Sequence, residues 1–333
     1  MKFTIVLATL FGGLAAASPT PAKQREGKAS ADKTASFNDK ATLGYATLNG
    51  GTSGGAGGPV VRVSTLDDFA AAVSEKDNSP KIVVVEGLIK GSANVRIGSN
   101  KSIIGLPGAG FEGIGLYARR QHNIILRNIK SSKVPATNGD GFRIDETTNV
   151  WVDHCEFSSS LDQDKDFYDG LVDASHGSDY ITVSYTHFHD HWKTSLIGHS
   201  DTNGAQDKDH LHITYANNYW ADFGSRGPSV RFGTAHIYNS YYLNGHTSGI
   251  NTREGAQVLV QSNAFKNVLL PITTQDSKIK GFANAIDNDL GGAENSAPVG
   301  SLDADSPPYP YTLLGSAKVE STVPGQAGQK LTF

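Results

Sequence analysis

One strand pattern returns so often along the middle of this chain that it limits the fold to architectures built by stacking. Asn149–Phe157, Tyr180–Phe188, Leu211–Tyr219, Thr234–Tyr242 and Gln257–Phe265 each alternate apolar and polar residues, pass through a short polar step and end on an aromatic. Asn123–Ile129 follows the same template with Ile in the later slot. The anchoring aromatics Phe157, Phe188, Tyr219, Tyr242 and Phe265 stand 31, 31, 23 and 23 residues apart. No helix-length apolar period separates these strands, which disfavours a βαβ sheet. Tight two-residue hairpins, which a β-sandwich would favour, are missing. A unit that cannot bury its own apolar face must stack on copies of itself. The expected fold is therefore all-β: a right-handed, single-stranded parallel β-helix. Ile and Val slots fill its interior, and Asn and His at the turn slots hydrogen-bond along the stack. The longer spacings mark rungs with longer loops, where function tends to sit.

The flanks read differently. Lys2, the apolar run Phe3–Leu14 and the small residues Ala15–Ala17 make an export signal over residues 1–17. The run is too short to span a bilayer, so the mature chain is expected to be soluble and extracellular. Residues 18–40 are polar, with Pro19 and Pro21 and no apolar period, and read as a flexible leader or pro-segment. The β-helix domain is then expected over 41–333. Thr65 precedes a short capped helix through Val73, and Lys81–Ile89 reads as one buried strand. The Gly-, Ser- and Pro-rich tail from Asp287 should wrap the outside, with a short helix within Leu314–Val323. Cys155 is the single cysteine, so stability must come without disulfides, and it reads as a small core residue. Asn100-Lys101-Ser102 is a glycosylation sequon. The net charge of −4 makes nucleic acid a poor candidate partner.

Between Asp140 and Arg231 the chain gathers two sets of charged residues. Asp169 and Asp173 lie four apart, and Asp140 lies about one rung earlier. On adjacent rungs they suit a hard, oxygen-seeking ion such as Ca2+; solvated loop aspartates are the plainer alternative. The basic set is Lys193, Arg226 and Arg231, the arginines flanking a Gly-Pro turn. It suits an acidic polymer, since arginine grips carboxylates bidentately and lysine acts as a point charge; ordinary surface charge is the alternative. His187, His189 and His191 alternate, which on a strand would place all three on one face. With no H-E-x-x-H and no partner Cys, zinc is disfavoured.

The combination of Trp151-Val-Asp-His154, Asp169-x-x-x-Asp173, His189-Asp-His-x-Lys193 and Arg226-x-Pro-x-x-Arg231-Phe-Gly resembles the pectate lyase family of parallel β-helix polysaccharide lyases, above all its secreted fungal members. The likeness spans Gly44 to Leu313. It implies that Arg226 is the proton-abstracting base, that Lys193 and Arg231 bind substrate carboxylates, and that Asp140, Asp169 and Asp173 hold Ca2+. Trp151–His154 is implied to be structural. The implied reaction is calcium-dependent β-elimination in (1→4)-α-D-galacturonan, giving 4,5-unsaturated oligogalacturonates. Positive charge around Arg226 would favour its neutral form, which makes an alkaline optimum expected. Two relatives of this reading stay open. A pectin lyase would act on the methyl ester and give the aspartates no task. A polygalacturonase-type hydrolase would use paired carboxylates around a water and leave the arginines without a role. Polygalacturonate is the expected partner, with no membrane and no second copy of the chain.

Overall fold

The computed structural model describes residues 34–333. The expected export signal lies outside the described residues, as does the leader up to residue 33. Residues 34–40 lie against the body of the protein. Phe37 stacks on Phe333 at 5.3 Å, Ala35 N donates to Thr332 O at 2.9 Å, and Asp39 pairs with Arg127 at 2.6 Å. The folded body thus begins ahead of residue 41.

The strands wind into a parallel β-helix. One ten-stranded parallel sheet runs from Val60–Val63 to Phe282–Ile286 and takes one strand from each rung. A second, folded sheet supplies the other two sides of each rung. Its short strands, such as Glu156–Ser158 and Val172–Ser175, lie on separate faces. Long strands such as Gly110–Arg119 and Tyr241–Arg253 turn the corner and join those faces. Every pairing between these strands is parallel, and among paired strands that follow one another in the chain only the connection from Val60–Val63 to Lys81–Val85 carries a helix.

The interior is apolar, as the alternation requires. Its spine is a ladder of stacked rings: Phe157 on Phe188, Phe188 on Trp220, Trp220 on Tyr242 and Tyr242 on Phe265, with centroids 5.8, 4.1, 5.7 and 4.3 Å apart. The expected ladder had Tyr219 in place of Trp220. The rung that begins near Leu211 is one residue longer than the repeat suggests, since Ile181 pairs with Ile213 and Phe188 with Trp220. A slip of one residue exchanges the faces. Tyr219 therefore points outward and stacks between His187 and Tyr241.

The turn slots behave as the repeat implies. Asn128, His154, Tyr185, Asn217, Asn239, Ser262 and Asp287 occupy one corner on successive rungs, all with positive φ. The next position carries a buried ladder in which Asn218 accepts from Thr186 N, and Asn263 accepts from Ser240 N. Cys155 is fully buried in the core, and burial pushes its thiol up to about 12. Asn100, the sequon residue, donates its side-chain amide to Asn78 O and accepts from Asn123. A glycan there would have to displace the first of these bonds.

The ends are covered. Leu66–Val73 forms a helix capped by Thr65, whose side chain accepts from Asp68 N, and it drives Phe69 against Phe111 at 4.5 Å. The segment Lys81–Ile89 is not one strand: Glu86 and Gly87 form a corner between Lys81–Val85 and Leu88–Arg96. The terminal helix, Ser316–Gln326, packs Val319 and Val323 on the flank of the solenoid near Tyr241 and Ala264. The tail then runs back across the rungs, and Gln329 Nε2 donates to Ala109 O and Asn128 O.

Candidate active site

Four of the six charged residues singled out in the sequence meet around one cavity, whereas Lys193 and Arg231 are not among the residues that line it. Asp140, Asp169, Asp173 and Arg226 border a single open cavity of about 470 Å³, together with Arg143, Ser175, Leu196 and His199. Each comes from a strand end or from the loop that follows it. Asp173 lies in Val172–Ser175, in register with Arg143 on the previous rung. Asp140 precedes Phe142–Asp145, and Asp169 ends the long loop that begins after Ser158.

Asp140 and Asp173 are held by backbone. Gly170 N donates to Asp140 Oδ1 at 2.8 Å, and Leu196 N donates to Asp173 Oδ1 at 2.9 Å. Asp140 is 3 % exposed. Burial first, then the Asp169 charge, push its carboxyl above the usual range; burial and Asp140 do the same to Asp173. Buried carboxyls that are raised further by a neighbouring carboxylate are short of positive charge. An all-carboxylate donor set with that deficit fits a divalent cation that prefers oxygen, which is the chemistry of calcium. The three carboxylates border the cavity without closing on one point. Among the described residues no three His, Cys, Asp or Glu side chains converge closely enough to cage an ion. Asp169, at the end of its loop, is 43 % exposed and accepts from Lys193 Nζ at 3.5 Å.

The cations stand around this cluster. Lys193 Nζ lies 2.9 Å from Asp166 Oδ1 and 3.5 Å from Asp169 Oδ1. Hydrogen bonds from Lys165 and Lys193 hold Asp166 down to about 2. Arg226 sits at a corner with φ 64°, ahead of a cis Gly227–Pro228 bond. Its carbonyl accepts from Thr194 Oγ1 and from Ser195 N, which fixes the backbone. Its guanidinium makes no hydrogen bond to another described residue and lines the cavity. Arg231, 8 % exposed, donates through Nε to Asp201 and through Nη1 to Gly198 O.

Two partners of Arg231 escape a reading by motif. Arg253 is in register with it one rung later, and Asp201 accepts from both arginines and from Ser277 Oγ. Burial pushes Asp201 up, but the hydrogen bonds from Arg231 and Ser277 hold it below its usual value. The rung repeat could have pointed to Arg253. The 23-residue spacing of the late aromatics, however, selects Glu254 as the partner of Arg231, whereas the true offset at this face is 22.

The three alternating histidines do not share one face. Asp190, at φ 51°, breaks the alternation, so His187 and His189 face outward while His191 turns into the interior, 1 % exposed. The Trp151–His154 segment is structural: Trp151 Nε1 donates to Ser184 Oγ, and the buried Asp153 binds Arg127, His154 and Ser184.

Residues 28–331 match the family model described as pectate lyase. A probable pectate lyase A of Aspergillus niger is 50 % identical over 334 residues, covering 100 % of this chain and 99 % of the relative. A probable pectate lyase A of Aspergillus fumigatus is 52 % identical over 336 residues, with both chains fully covered. Among solved structures, a pectate lyase from Bacillus sp. N165 in complex with trigalacturonate superposes with a TM-score of 0.77 at 32 % identity, covering 86 % of this chain and 98 % of that one.

Proposed function

This chain belongs to the pectate lyase family, and from that membership we propose that it cleaves polygalacturonate by calcium-dependent β-elimination with Arg226 as the base. The observation that carries the reading is the placement of Arg226. A guanidinium that bonds to no other described residue borders the same cavity as the carboxylates of Asp140, Asp169 and Asp173. A hydrolase built on paired carboxylates has no use for that neighbour. The complex of the Bacillus sp. N165 enzyme with trigalacturonate supports the choice of substrate.

Asp140, Asp169 and Asp173 would hold the calcium. The bound ion would supply Lewis-acid polarisation of the uronate carboxylate, lowering the cost of removing the neighbouring C5 proton. The protein's own residues do the rest. Lys193 and Arg231 grip substrate carboxylates and fix the sugar over Arg226. Arg226 takes the C5 proton, the electron pair forms the C4–C5 double bond, and the C4–oxygen bond breaks. The departing oxygen is protonated from solvent, and Arg226 returns its proton to solvent before the next turnover. The positive charge of Lys193 and Arg231 stabilises the negative charge that builds up before that bond breaks.

The enzyme acts outside the cell, exported by its apolar N-terminal segment, where plant cell-wall pectin would be met.

The test is ultraviolet absorbance of products from unesterified polygalacturonate at alkaline pH, with calcium and with a chelator. Absorbance of the unsaturated product that needs calcium is the expected result. New reducing ends without absorbance would overturn elimination. Activity only on the methyl ester, unaffected by chelator, would overturn the calcium site.

A further inference from the structure

The face that carries the acid cluster continues toward the N-terminal rungs as a row of aligned residues. Arg96 is in register with Tyr117, Tyr117 with Arg143, and Arg143 with Asp173. Residues paired in parallel register project to the same side, so these four line one stripe along the solenoid axis.

Arg143 is held rigidly but is not used up. Its Nε donates to Asp145 Oδ2 at 2.8 Å, and its terminal nitrogens make no hydrogen bond to another described residue. Asp145, 2 % exposed, is a fixed post: Tyr117 Oη, Ser175 Oγ and His176 Nδ1 also bond to it. Tyr117 braces two guanidinium groups, that of Arg143 at 5.6 Å and that of Arg96 at 4.7 Å from its ring centre. The side chains of Arg143 and Arg96 remain 39 % and 48 % exposed, enough for a ligand to reach both.

Neutralising Asp140 would account for Arg143 alone. It does not account for Arg96, two rungs further from Asp173, whose one ion pair among the described residues, with Glu75, spans 3.9 Å. A polyanion laid along the axis accounts for both. Neighbouring strands are about 4.8 Å apart, close to the length of one pyranose residue, so such a chain meets a new rung with each sugar. Cations then stand on either side of the acid cluster: Arg143 and Arg96 on earlier rungs of this row, and Arg231 and Arg253 on later rungs of the neighbouring row, two residues across, which carries Asp145 and Ser175.

We infer that the substrate groove extends past the acid cluster onto Arg143 and Arg96, which form a further subsite for uronate carboxylates. The inference rests on the reading of this cavity as a galacturonan-cleaving site. The guanidinium fork of Arg143 presents its free edge to a carboxylate, and Arg96 adds a second contact only to chains long enough to reach it.

The test compares Arg143→Gln and Arg96→Gln with the wild-type enzyme on galacturonate trimer and octamer at saturating calcium, with thermal unfolding as a check on the fold. Each variant is expected to lose about tenfold of the wild-type preference in kcat/KM for octamer over trimer, the scale of one hydrogen bond to a charged group. The calcium titration of Arg96→Gln should match that of the wild type. Equal losses on both lengths, or a loss confined to Arg143→Gln together with weakened calcium binding, would overturn the subsite. The first functional reading fails separately, if the wild-type enzyme produces no unsaturated product from any oligogalacturonate.

Discussion

The carboxylate of Asp173 occupies the space into which a side chain on Gly170 would grow: a Cβ placed there would come within 2.4 Å of Asp173 Oδ1. The same glycine donates its N–H to Asp140. One backbone position thus sets both inner carboxylates. Gly170→Ala should push Asp173 aside while leaving the solenoid folded. Calcium affinity, read by titration of activity, is expected to fall tenfold or more, with turnover partly regained at high calcium. An unchanged titration would remove Asp173 from the metal site.

Arg226 makes no ion pair with another described residue, which is what its proposed role as the base requires. Arg226→Ala should lower kcat by about 10²- to 10⁴-fold, the usual range for a general base, with KM nearly constant. A large rise in KM with kcat preserved would make Arg226 a binding residue and leave the base unassigned.

Asp201 reaches two arginines of adjacent rungs and fixes the direction of the Arg231 side chain. Asp201→Asn keeps the shape but removes the charge that aligns them. KM for polygalacturonate is expected to rise several-fold with a smaller change in kcat, and Asp201→Glu should restore part of it. Equal falls in kcat for both variants at constant KM would argue against a role in positioning Arg231.

The alternation and spacing of the strands made the solenoid legible before any coordinates, because a period of twenty to thirty residues without helices leaves few other solutions. The acid and base sets were legible for a related reason. Loops that return to one face place Asp140, Asp173 and Arg226 together, although 86 residues separate the first from the last. What stayed hidden was register to the residue. Rung length varies, and a repeat aligned by its aromatics cannot tell Tyr219 from Trp220. That one-residue uncertainty also conceals partners such as Arg253, found only when the strand pairing is known. The direction of His191 was hidden as well, because it depends on a positive φ at Asp190, which the alternation does not announce.

Trp220 lies at the centre of the aromatic ladder, fully buried between Phe188 and Tyr242. Its Nε1 is buried without a hydrogen-bond partner. Trp220→Ala should cost about 3–5 kcal/mol of stability through the cavity it leaves. Trp220→Phe keeps a ring in the stack and removes the unpaired donor, so its cost should be clearly smaller. Denaturant midpoints measure both. Equal losses would mean that the indole contributes through something other than stacked volume.

Acid should weaken the fold through histidines buried in neutral form. His236, 2 % exposed, is bonded to Tyr309 Oη and Gln261 Oε1, both at 3.0 Å, and burial lowers it from 6.5 to about 3. His187 and His191 are likewise lowered by burial to about 4. Between the folded and unfolded values only the unfolded chain takes up the proton, so each of these groups removes stability as pH falls below about 6.5 and stops doing so below its folded value. For His236 alone the loss at pH 5 is about 2 kcal/mol relative to pH 8. Gln at this position can keep an amide near both partners and cannot titrate. His236→Gln should therefore be less stable than the wild type at pH 8, and the gap should narrow by about that amount at pH 5. Parallel stability curves for the two proteins between pH 8 and pH 5 would show that His236 is already protonated in the folded state, and the buried-neutral assignment would fall.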